Sequence, residues 1–279
     1  MKKITLTVAA VTIISLLGAA MTWGSTARQG STARHAPLTP TLHPQLHWAP
    51  VRHKPLSDAR AAALVTPEPE VRPANAPYND YVPSRAQLRK FLTARDRTGR
   101  NPTRRNPWYR YVDGRDGMAH PSTDMLIQWA AHKWGIPEDT MRAVAQQETW
   151  WNQNDPGDPE NVPARWVPQY PAQVRINRTR VFESMGIMQI RWKPNQSAGT
   201  GSEPLRWRST AFNLDYAGAT VRFYFDGYCR CGRGYKAGDA WASIGGYNQP
   251  LPWNSKKAQA YIGRIKLRLR IRLWTSPWF

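Results

Sequence analysis

The chain has 279 residues, of which 39 are Lys or Arg and 19 are Asp or Glu, giving a formal net charge of +20. That length accommodates one large or two small domains, and the charge would concentrate the chain on anionic wall polymers or lipid head groups. The two cysteines are too few for a structural zinc site, and no His pair at ligand spacing lies near them. No nucleic-acid recognition motif accompanies the positive charge.

Lys2 and Lys3 precede a mostly apolar run over residues 4–23 that includes the small residues Gly18, Ala19 and Ala20. Residues 1–24 therefore read as an export signal cut after Ala20, or as an uncleaved membrane anchor. Both readings place the rest of the protein outside the cytoplasmic membrane. Residues 25–107 are rich in Pro, Ala and Arg, as in Pro67-Glu-Pro-Glu-Val-Arg-Pro73, and carry no sustained apolar period. Proline blocks helices and central strands, so this stretch is expected to be an extended, poorly ordered tether. A short helix is expected within it at 84–96, with Leu88, Phe91 and Leu92 on one face.

Residues 108–279 read as one mainly α-helical domain. Over 122–134, Met125, Leu126, Trp129, Ala130 and Trp134 recur at helical spacing between a Ser122 cap and Gly135. A second helix opens at Pro137 and runs to Glu148, with Met141, Val144 and Ala145 facing inward. Residues 152–182 form an insertion whose prolines at 163, 168 and 171 predict irregular structure. Helices follow over 210–225 and 239–244. Cys229 and Cys231 are separated by one residue; a local disulfide and two free thiols both fit. The basic segment 256–279 is expected to be a core-packing helix with a cationic outer face. Strict alternation over 265–273 also fits a strand, and a membrane-surface or wall-polymer adhesive is the functional alternative.

Four motifs then occur in order: Gln147-Glu148-Thr149, Gly186-Ile-Met-Gln189, Asn213-Leu-Asp215 and Gly246-Tyr247-Asn248. In order and approximate spacing they resemble soluble lytic transglycosylases of the lysozyme superfamily, which includes goose-type lysozymes; the resemblance covers about 118–270. It implies a lysozyme-like helical fold and a cut between N-acetylmuramic acid and N-acetylglucosamine in peptidoglycan. Glu148 matches the acid that protonates the glycosidic oxygen and then takes a proton from the muramyl C6 hydroxyl, closing a 1,6-anhydro ring. That chemistry requires a carboxyl kept protonated near neutral pH, which apolar surroundings supply. Trp150, Trp151 and Met188 are candidates for those surroundings. Gly186, Met188 and Gln189 match a tight turn beside the cleft, whose Gln bonds sugar substituents or orients the acid. Tyr247 matches a residue whose hydroxyl can bond the catalytic carboxylate, and Asn248 one that secures the local turn.

Thr149 stands where that family more usually has serine, and the 37 residues between Glu148 and Gly186 exceed its common spacing. Glu183 reads as an extra surface acid. A water-using muramidase of goose type would need a second carboxylate, for which Asp155, Asp158 and Glu160 lie in the insertion. Without an ordered base there, the non-hydrolytic cut is preferred. A wall-binding protein that kept the fold without turnover is the non-enzyme alternative. Fourteen tryptophans, among them Trp192, Trp241 and Trp253, suit stacking against sugars. The expected partners are glycan strands and anionic wall polymers or a membrane surface; the expected state is a monomer with no cofactor and no metal.

Overall fold

A computed structural model describes residues 47–279 apart from 97, 195, 197, 198, 230, 250 and 251. The expected export signal and the first part of the expected tether, residues 25–46, lie outside the described residues. The described part is mainly helical, with two small antiparallel strand pairs.

Each helix is bounded by identifiable chemistry. Helix α1 (Arg85–Thr93) opens on a capping box, in which the Ser84 hydroxyl accepts from the Gln87 amide and the Gln87 side chain from the Ser84 amide. Helix α2 (Thr123–Trp134) is capped by Ser122, which accepts from the Met125 amide, and ends at Gly135 in the left-handed region. Helix α3 (Glu138–Thr149) follows Pro137 and ends at Trp150. Helix α4 (Thr210–Phe225) is mostly apolar and buries every residue except Thr220, as a central helix must, with Asn213, Asp215 and Arg222 among its buried polar groups. Helices α5 (Ala240–Asn248) and α6 (Lys256–Ile271) follow, capped by Asp239 and Ser255.

These helices pack in a ring: α4 contacts α2 and α5, α3 lies between α2 and α6, and α6 returns to α5. Two residues of α4 stitch the ring from opposite sides. Asn213 points to the turn at 185–189, whereas the buried Asp215 accepts from Lys133 Nζ (2.8 Å) and Trp134 Nε1 (2.7 Å) of α2. Asp215 also accepts from the amides of Asp113 and Gly114, so four donors converge on one carboxylate.

The expected tether is corrected here. The stretch 47–107 is not a free tether. It straps the helices, with Asn75, Asn79, Ala61 and Phe91 buried. The Ala49 amide donates to the Gly135 carbonyl, Thr66 exchanges hydrogen bonds with Gln128, and Glu70 accepts from the Thr123 amide at the start of α2. It is held to the helices by scattered backbone and side-chain hydrogen bonds rather than by a ladder, which is how a proline-rich segment can still be folded. The insertion is largely irregular as expected, but it is not loose. Strand β1 (Pro159–Asn161) pairs with β2 (Arg180–Phe182), and β3 (Ser184–Met185) with β4 (Ile190–Arg191). Val162, Val167, Tyr170, Val174, Val181 and Met185 form a small core of its own.

Glu183 is also not a surface residue. It is 1% exposed and accepts from Tyr170 OH (2.9 Å) and Arg191 Nε (2.9 Å), with Lys193 Nζ at 2.9 Å. A carboxylate is tolerated at such depth only when paired and hydrogen-bonded in this way. Cys229 and Cys231 form a disulfide. Residues 256–271 are helical, and the alternation over 265–273 is resolved by the helical period: Ile265 turns inward, while Leu267 and Ile271 stay outside.

Candidate active site

Glu148 sits in the last turn of α3, where the ring brings that helix against α6. Tyr261 of α6, a fully buried ring, donates its hydroxyl to Glu148 Oε1. Burial pushes the Glu148 carboxyl up to about 7, against the Tyr261 hydrogen bond and the Arg264 charge, which both pull it down. Desolvation penalises the ionised form, so the group is held neutral close to physiological pH. Glu148 as a whole residue is half-buried. Arg142, one helical face away, does not neutralise it. That guanidinium is engaged by Asp124 (2.7 and 2.8 Å) and Glu138 (2.8 Å).

The backbone around the acid is strained in one place on each side. Trp150 and Trp151, directly after Thr149, have φ of 54° and 68°, and Gln189 has φ of 51°. Bulky residues in the left-handed region cost on the order of 1–3 kcal/mol each and persist only where the surroundings over-determine them. Here Arg72 Nε holds the Trp150 carbonyl (2.7 Å) and Asn75 Nδ2 the Trp151 carbonyl (2.6 Å). The strap thus fixes the exit of the Glu148 helix.

The turn 185–189 lies opposite and is gripped from three directions. Asn213 Oδ1 accepts from the Met188 amide (2.9 Å), Gln153 Oε1 from the Ile187 amide (3.1 Å), and Thr149 Oγ1 donates to the Ile187 carbonyl (3.1 Å). Gly186 has φ of 82°, and a Cβ there would run into Asn213 Nδ2 and the Arg206 carbonyl. Replacing Asn213 by Ala removes the side-chain partner of the buried Met188 amide and of the Met185 carbonyl, and leaves the Arg206 carbonyl with Gln153 Nε2 alone. We expect that change to lower stability by about 3 kcal/mol in a urea titration; a loss under about 1 kcal/mol would mean the turn holds itself.

The residues singled out in the sequence divide accordingly. Glu148, Thr149, Gly186, Met188 and Tyr247 converge. Tyr247 does not bond the acid; its hydroxyl donates to the Met188 carbonyl and ties α5 to the turn, and burial first, then the nearby Glu148 charge, raises its pKa. Tyr261 takes the position expected of Tyr247. Gln189 does not orient the acid either, because its amide donates to the Asp155 (3.0 Å) and Gly186 (3.1 Å) carbonyls. Trp151 is core, 2% exposed, with Nε1 bonded to the Arg142 carbonyl. Trp150 is 45% exposed, but Arg268 lies 4.9 Å over its ring. Asn248 closes helix α5 rather than a separate turn, and its Oδ1 is buried without a hydrogen-bond partner among the described residues.

Tyr261 and Arg264 were missed. The available signal was a tyrosine on the otherwise aliphatic inner face of 256–271, where a buried hydroxyl needs a polar partner. Among the described residues no group of three or more His, Cys, Asp or Glu is placed to hold a metal ion. Comparison of the chain with protein-family models, with curated proteins and with solved structures finds no match.

Proposed function

We propose that the protein is a peptidoglycan lytic transglycosylase on a lysozyme-like, goose-type helical fold, acting as a monomer in the cell envelope. The observation that carries this reading is the Glu148 carboxyl, pushed to about 7 by burial on a residue that is only half-buried, and held at Oε1 by Tyr261. Such a group can act as acid and then as base at one pH.

In the proposed cycle Tyr261 fixes Oε1, and Oε2 carries the transferable proton. As the bond from muramyl C1 to the bridging oxygen breaks, that proton passes to the leaving oxygen. The Glu148 carboxylate then accepts the C6 hydroxyl proton while O6 bonds C1, which closes the anhydro ring and restores the acid. No water enters and no second carboxylate is required. Removal of the Tyr261 donor by Tyr261→Phe takes away an interaction that lowers the Glu148 pKa. Activity is therefore expected to fall above about pH 7 in the parent, and the falling limb to move to higher pH in the variant. An unmoved limb would detach Tyr261 from the acid.

One observation favours the hydrolytic reading as second choice. The Asp155 carbonyl accepts from both the Gly186 amide (3.1 Å) and Gln189 Nε2 (3.0 Å), so this residue borders the turn instead of floating in a loose insertion. Glu160 is engaged elsewhere, by Arg191. Digestion of purified peptidoglycan separates the two: 1,6-anhydro ends are expected, and reducing ends heavier by one water would overturn the transglycosylase reading. Absence of any cut under all conditions would leave the wall-binding reading.

A further inference from the structure

Helix α6 turns Tyr261, Ile262 and Ile265 inward, and its outer face has a composition that the cleavage chemistry does not use. At 100° per residue, Ala260, Gly263, Leu267 and Ile271 fall in one outward seam. Leu267 and Ile271 are 40% and 47% exposed, and nothing lies within 4 Å of where a Gly263 side chain would start. Lys266 and Arg270 flank the seam on one side, Lys257 and Arg264 on the other. Trp241 of α5 lies beside Lys266, whose Nζ is 4.6 Å from its ring, and Trp278 just beyond the helix is 92% exposed. From residue 240 to 279 there is no Asp or Glu.

We propose that this face docks on an anionic lipid bilayer, with the seam and Trp278 at the head-group boundary and the two basic rails against the phosphates. The charge complementarity would suit any polyanion; the apolar seam between cationic rails, with an indole exposed at its end, is what favours lipid. A soluble polymer has no apolar phase to receive Leu267, Ile271 and Trp278. Docking on this side leaves the inner face of α6, with Tyr261 and Glu148, turned away from the bilayer. The proposal does not depend on the catalytic reading.

The test uses the full chain with vesicles of phosphatidylcholine alone or mixed equally with phosphatidylglycerol, in about 0.15 M salt. Because the apolar run at 4–23 can itself partition into lipid, one readout is local: quenching by brominated lipid in the parent minus that in Trp278→Phe. The triple change Lys257→Gln, Lys266→Gln and Arg270→Gln is expected to weaken binding to the anionic vesicles by about a hundredfold, without altering binding to the neutral ones. Leu267→Gln with Ile271→Gln is expected to abolish the Trp278-dependent quenching. Undiminished binding of the triple variant together with no Trp278-dependent quenching overturns the proposal. So does a triple variant that leaves vesicle binding intact but no longer sediments with purified wall, which would make the face a wall-polymer contact. Glu148→Gln is expected to bind vesicles as the parent does, so loss of cleavage and loss of docking are separately readable.

Discussion

Glu148→Gln is expected to remove wall cleavage and to make the protein more stable. On the catalytic side, a positioned proton donor contributes roughly 10²–10⁴ in rate, and an amide has no proton to give. Residual turnover above a tenth of the parent would show that another group donates it. On the stability side, the folded carboxyl titrates at about 7 and the unfolded one near 4.5. Below the lower value both states are protonated and the buried group costs nothing. As pH rises through the upper value, the folded protein must ionise a carboxyl in a desolvated pocket, and the advantage of the neutral form is lost. The difference corresponds to about 3 kcal/mol at full ionisation. Gln can still accept from Tyr261 while carrying no charge, so the variant should match the parent near pH 4 and exceed it at pH 8. Thermal melts at the two pH values check this. Equal midpoints at both would mean that the carboxyl is freely solvated.

Asp215→Ala is expected to cause the largest loss of stability. The carboxylate is fully buried and receives Lys133 Nζ, Trp134 Nε1 and two backbone amides. Its removal leaves the buried ammonium of Lys133 with Asp58 (2.7 Å) and the longer contact to Asp113 (3.2 Å), and orphans an indole donor. Breaking one side of a buried pair costs about 3–5 kcal/mol, which for a body of this size lowers the melting midpoint by roughly 6–20 °C. Asp215→Asn retains the volume and one acceptor and should lie between. A variant that melts with the parent would show that the ring of helices does not depend on this junction.

How far the sequence carried depends on where each signal was written. Helices α2, α3 and α4 are legible because their caps and apolar period lie within each segment: Ser122 and Gly135 bracket one, and the apolar run from Phe212 to Phe225 specifies another. The desolvation of the Glu148 carboxyl was legible for the same reason, as a carboxylate at the end of an apolar stretch. The strap at 47–107 was not, because its order rests on single side chains such as Asn75 and Glu70 reaching residues 48–78 positions away. Nothing periodic announces such contacts. Glu183 was misread for a related reason: its burial is set by Tyr170 from the insertion and by Arg191 and Lys193, which the β3–β4 pairing folds back beside it. Trp151 shows the converse. An aromatic beside a motif suggests a lining role, yet large apolar area tends inward, and here it supports the helix from behind.

The hydroxyl that steadies the acid stands 113 residues further along the chain. A polypeptide emerging from the ribosome would therefore expose position 148 long before Tyr261 is made, and until then the carboxyl would lack both the desolvating wall and the clamp and would titrate as an ordinary glutamate. On the proposed reading, a chain that stops short of helix α6 would therefore carry the carboxyl without the means to hold its proton, and would stay inert.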